Sequence, residues 1–135
     1  MFSVSQKSKY GLRAVYELAN RYQEGPLKAH QIADAHDIPL KYLEKVLQDL
    51  KQAGIVQSQR GAYGGYILAK SPQDLTIGSI VYALEGPLDL AGDLDGELHF
   101  FWKRFELDVQ VMLEKTVQEL VADKQKAEHV VTYSI

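Results

Sequence analysis

Apolar residues recur at helical spacing through the first third of the chain, then in two short extended runs, then at helical spacing again. From Ser5 to Tyr22 the positions Tyr10, Leu12, Val15, Leu18, Ala19 and Tyr22 form one inward face, and Glu24, Gly25 and Pro26 end that helix. A short second helix is expected over Ala29 to His36, with Ile32 and Ala33 inward. Asp37, Ile38 and Pro39 make a turn, because proline disfavours helical geometry at Ile38 and suits the first turn of the next helix. That helix fits Leu40 to Ala53, with Leu40, Leu43, Val46, Leu47 and Leu50 on one face and Gly54 as its C-terminal cap. Short helix, tight turn and longer helix make a helix-turn-helix.

The extended runs Ile55 to Gln59 and Tyr66 to Ala69 flank a tip rich in glycine. Gly61, Gly64 and Gly65 permit a tight reversal, since glycine reaches positive φ without a Cβ clash, and Arg60 and Tyr63 are left pointing outward. A guanidinium on a thin hairpin can enter a minor groove and sense its width and potential. Alone, the segment reads as readily as an ordinary surface hairpin. Directly behind a helix-turn-helix it reads as a wing.

Farther on, Thr76 can cap a helix through Leu84, with Ile77, Ile80, Val81 and Leu84 inward, before Gly86 and Pro87 stop it. Residues 86–96, rich in Gly and Asp, read as a loop. A long amphipathic helix follows with Leu98, Phe101, Trp102, Phe105, Val109, Met112 and Leu113 on one stripe. That stripe is too large and aromatic for one small domain to cover, which points to a homodimer. Thr116 to Glu119 has the form of a capping box, so a new helix to about Lys124 is expected, with Val130 to Tyr133 a terminal strand or a frayed tail. The expected fold is mainly α with a small β-hairpin wing. It comprises a winged helix-turn-helix over 1–85, the loop 86–96, and a dimerisation helix and tail over 97–135, all one compact unit in the dimer.

The second helix of a helix-turn-helix lies in the major groove and meets base edges near its N-terminus. Lys41, Tyr42, Glu44, Lys45 and Gln48 fall between or opposite the inward positions. Lys41 and Lys45 suit phosphate or guanine acceptors, and Glu44 could accept from cytosine N4. Taken alone, Lys41, Glu44, Lys45 and Gln48 read more simply as the solvated face of an amphipathic helix; the wing behind them tips the balance.

Charge supports the nucleic-acid reading. The net charge of -3 divides unevenly: residues 1–70 hold ten Lys and Arg against six Asp and Glu, while 71–135 hold five against twelve. A modestly basic first half suits phosphate contact. With 135 residues and no cysteine, the chain can bury a real core but offers no disulfide, thiolate metal site or cysteine nucleophile. No apolar run is long enough to span a bilayer and the start lacks a signal-peptide pattern, so the cytoplasm is the expected location. An enzyme is not expected: there is no phosphate loop, and His30, His36, His99 and His129 are scattered.

Taken together, residues 8–14 (SKYGLRA), 38–44 (IPLKYLE), 50–56 (LKQAGIV), 58–61 (SQRG) and 64–66 (GGY) closely resemble the bacterial winged-helix transcription regulators of the iron-sulfur cluster regulator type. The resemblance runs over about residues 3 to 120. It implies a dimer in which the long helix crosses its partner, with Arg60 in a minor groove. It gives Leu40, Lys41, Tyr42, Glu44 and Lys45 base-facing or backbone roles, and Ser8, Lys9 and Tyr10 phosphate-side roles. Many relatives hold an iron-sulfur cluster with three cysteines ahead of the long helix. Here His99 and Trp102 keep a histidine-tryptophan spacing, but every thiolate position is empty, and clusters need chiefly thiolate ligands.

The sequence therefore points to a sequence-specific DNA-binding transcription regulator, a repressor acting as a homodimer on a near-palindromic operator with no cluster as cofactor. Two alternatives keep the fold: a protein partner docking on the acidic C-terminal half, or a divalent metal held near His99 by Asp93, Asp95 and Glu97. Operator, regulated genes and signal are not legible.

Overall fold

A computed structural model describes residues 4–89 and 96–134. Its elements are α1 (Gln6–Asn20), α2 (Ala29–His36), α3 (Leu40–Gln52), β1 (Val56–Gln59), β2 (Gly65–Leu68), α4 (Ile77–Glu85), α5 (His99–Leu113) and α6 (Val117–Ser134), with a 3-10 turn at Pro72–Asp74. The expected order of helices and hairpin is present. The 3-10 turn is an addition, built where Ser71 accepts from the Gln73 amide and proline occupies its first position.

Helix α1 crosses α3, α4 and α6, and the core lies between them. Ala14, Val15, Ile32, Leu43, Val46, Leu47, Leu50, Ile80 and Val117 are at most 1% exposed. Burying each large aliphatic side chain contributes about 1.5 to 3 kcal/mol, so this cluster outweighs any single cap or ion pair. Gly11 lets α1 approach α4, since a Cβ there would stand 2.2 Å from Leu84 Cδ1. Three residues expected to face inward on α1, α3 and α4 lie outside the core, one of them Val81, which is only half-buried. Tyr22 follows the end of α1 and is exposed, and Leu40, the first residue of α3, is 41% exposed at the margin of the stripe formed by Leu43, Val46, Leu47 and Leu50.

Local chemistry sets the helix ends. Ser5 and Thr76 cap α1 and α4 by accepting from Ser8 and Ser79 amides. Beyond α3, Gly54 (φ +77) donates to Lys51 O at 3.0 Å and Ile55 to Leu50 O at 2.9 Å. These paired bonds close a Schellman motif, with Leu50 and Ile55 both buried beside it. The capping box at Thr116 is formed: its hydroxyl accepts from the Glu119 amide at 3.1 Å. Beyond it α6 continues to Ser134, so Val130 to Tyr133 extend a helix instead of forming a terminal strand. The α5–α6 junction is tied to the start of α4, Ile77 donating to Lys115 O and Val117 to Leu75 O, each at 2.8 Å.

Candidate DNA interface

Because Leu43, Val46, Leu47 and Leu50 all face the core, the opposite side of α3 is turned outward. Leu40, Lys41, Tyr42, Glu44, Lys45 and Gln48 are all exposed there. The first turn carries no acidic residue, and its N-cap, Pro39, supplies no side-chain cap. The positive end of the helix dipole beside Lys41 therefore favours an external anion such as phosphate.

The wing is a two-stranded antiparallel hairpin in which Gln59 pairs with Gly65 and Val56 with Leu68. Arg60, Gly61, Ala62 and Tyr63 form its exposed tip, Tyr63 being 94% exposed. The three glycines serve different needs. Gly61 takes a φ of +104 in open space. Gly64 is not at positive φ, contrary to expectation, and is required because a Cβ would stand 2.2 Å from Gln59 O. Gly65 is the first residue of β2 and combines a φ of +146 with a close approach to Leu27. The hairpin root is fastened to the body there by two backbone hydrogen bonds between Leu27 and Tyr66, at 3.0 and 2.7 Å.

The three α1 candidates separate. Lys9 is exposed. Ser8 is 2% exposed and donates its hydroxyl to Glu85 Oε1 at 2.7 Å, so it staples α1 to α4 and is withdrawn from the phosphate side. Glu85 also accepts from the Ser5 hydroxyl and, at 3.1 Å, from the Ser5 amide. These bonds, the Ser5 hydroxyl first and the Ser8 hydroxyl next, hold its carboxyl below the usual glutamate range. Tyr10 is half-buried and meets Tyr42 edge to face, with ring centroids 5.5 Å apart. Arg13 lies 5.7 Å over the Tyr10 ring, and Lys7 is paired with Asp49 of α3 at 2.6 Å. Arg13 and Lys7 escaped sequence reading: Arg13 reaches the Tyr10 ring one turn along α1, and only the α1–α3 crossing brings Lys7 to Asp49.

Helix α5 buries none of its residues. Phe105, Val109 and Leu113 are half-covered, and Leu113 lies against Gly78 of α4. Leu98, Phe101, Trp102 and Met112 are exposed, together with Phe100, Leu107 and Val111, which the single-stripe reading missed. At about 100° per residue those three fall on a second face, roughly opposite the first. Near its start, His99 and Glu97 are exposed, whereas Asp93 and Asp95 lie outside the described residues. Among the described residues no three His, Asp or Glu side chains gather as a metal site.

An exposed helix beside an exposed hairpin, on one shared core, defines a winged helix-turn-helix DNA-binding protein. Residues 4–123 match the Rrf2 family, described as iron-dependent transcriptional regulators, and the chain belongs to that family. It is 38% identical over 122 residues to the HTH-type transcriptional regulator CymR of Bacillus subtilis, covering 88% of each chain. The solved structure of that regulator, titled the global cysteine regulator of B. subtilis, superposes with a TM-score of 0.81 at 36% identity, over 90% of this chain and 98% of the other. The structure of T. potens IscR gives 0.79 at 34% identity, over 93% and 90%. A thiolate-held iron centre does not fit this chain, which has no cysteine to supply its ligands. Among the described residues no helix is long and apolar enough to cross a membrane.

Proposed function

We propose that this protein is a cytoplasmic, sequence-specific repressor that binds a near-palindromic operator as a homodimer and is controlled by something other than an iron-sulfur cluster. The carrying observation is that the outward face of α3 and the tip bearing Arg60 and Tyr63 are both exposed, on elements that share one core. In this reading Lys41, Tyr42, Glu44, Lys45 and Gln48 face the major groove, Arg60 enters the minor groove, and Lys9 meets phosphate. The dimer reading rests on α5. A 15-residue helix with no buried residue is marginal by itself, so cover from a second copy would stabilise it.

The test is selection from a random duplex pool with the purified full chain. An enriched, two-fold-related consensus with half-sites about one helical turn or a multiple apart is expected. Absence of enrichment overturns the reading. A second reading, a protein partner on the acidic half, is favoured by an open groove of about 500 Å³ lined by Asp108, Val111, Met112, Glu114, Lys115 and Glu119. Competition between DNA binding and binding of a host protein to that groove would distinguish it.

A further inference from the structure

The side chains of Arg13, Tyr10 and Tyr42 form a continuous stack that leads from the exposed side of α1 to the first turn of α3. We infer that Tyr10 and Arg13 are positioning residues for operator recognition, acting through Tyr42 and not by touching DNA. The inference rests on the proposed α3 interface and deepens it. Sequence reading divides these tyrosines, giving Tyr10 a phosphate-side role and Tyr42 a base-facing or backbone one; the structure joins them.

Tyr42 is 38% exposed in the first turn of α3, where its backbone alone leaves the ring a choice of rotamers. The Tyr10 ring meets it at an interplanar angle of 80°, an arrangement in which the positive edge of one ring faces the negative face of the other. Tyr10 packs on the core, so it transmits a fixed position outward. Arg13 stands within cation–π distance of the same Tyr10 ring. That contact orients the Tyr10 ring and directs the guanidinium toward an aromatic surface. A second tie, the Lys7–Asp49 ion pair, joins the same two helices nearer the end of α3, while the tyrosine pair joins them at its first turn.

An edge-to-face pair of this kind corresponds to about a twofold to tenfold change in affinity when the ring it orients contacts the ligand. The experiment measures binding to the duplex selected above and to a scrambled duplex of equal length, across a salt series. Tyr10→Leu and Arg13→Gln are each expected to weaken the selected duplex by about threefold to tenfold, with the scrambled duplex and the salt slope unchanged. Tyr10→Phe keeps the ring and is expected to restore wild-type discrimination.

In the double variant Tyr10→Leu with Tyr42→Leu, the Tyr10 change is expected to add little to the loss caused by Tyr42→Leu alone. Purely additive effects overturn the inference, and so does an equal loss on both duplexes. A salt slope flattened by about one in Arg13→Gln makes Arg13 a phosphate contact and overturns its positioning role. If Tyr10→Leu does not fold, Tyr10→Phe, Arg13→Gln and Tyr42→Leu still decide the matter. A wild-type protein that selects no sequence defeats the DNA reading itself, whereas selective wild-type binding indifferent to these changes defeats this inference alone.

Discussion

Leu27 and Tyr66 exchange two backbone hydrogen bonds and draw the wing root so close to the body that a Cβ on Gly65 would stand 2.5 Å from the Leu27 carbonyl oxygen. Gly65→Ala therefore combines a clash with backbone that an L residue rarely adopts at φ +146. A loss of about 2 to 4 kcal/mol is expected in urea unfolding. Gly61→Ala at the open tip should cost only about 1 to 2 kcal/mol. Equal costs at the two positions would remove Leu27 as the reason for Gly65.

Arg60 and Lys45 should fail in different ways. Arg60→Ala is expected to cost about 1 to 3 kcal/mol on the selected duplex and to relax preference at the positions beneath the wing. Lys45→Ala should weaken every duplex and reduce the salt slope by about 1 if it meets phosphate. Fluorescence anisotropy at several salt concentrations separates them.

Dimerisation should depend on the exposed apolar residues of α5, which lie on two faces. Val111 and Met112 are 67% and 64% exposed, so Val111→Glu and Met112→Glu should leave the monomer folded. Each should raise the dimer dissociation constant by at least tenfold, since covering one such side chain is worth about 1.5 to 3 kcal/mol. Sedimentation equilibrium measures this, with far-ultraviolet circular dichroism confirming the fold. An unchanged dimer would exclude this part of α5 from the interface.

The Glu85 staple should leave a trace in acid. Its folded carboxyl titrates below the ordinary glutamate range, chiefly through the Ser5 and Ser8 hydroxyls. The stability it contributes is present above the unfolded pKa and is lost as pH falls through the folded one. Glu85→Gln should melt slightly below wild type at neutral pH, with the difference shrinking to nothing in acid. At this exposed site the effect should stay below about 1 kcal/mol. A difference that grows on acidification would contradict the staple.

The elements and most of the candidate DNA surface were legible in the sequence because they depend on local chemistry. Helical periodicity over Leu43 to Leu50 orients α3 whatever else surrounds it, Pro39 and Gly54 mark its ends, and Thr116 announces α6. Tertiary structure decided what depends on two segments meeting. Ser8 looks like any polar residue near a helix start until α4 brings Glu85 to it. Gly64 and Gly65 look like turn glycines until the backbones of Gln59 and Leu27 occupy the space beside them. Tyr10 and Tyr42 stand far apart along the chain and touch because α1 crosses α3. A sequence exposes periods and caps directly, but it encodes crossings only through the packing of the whole core.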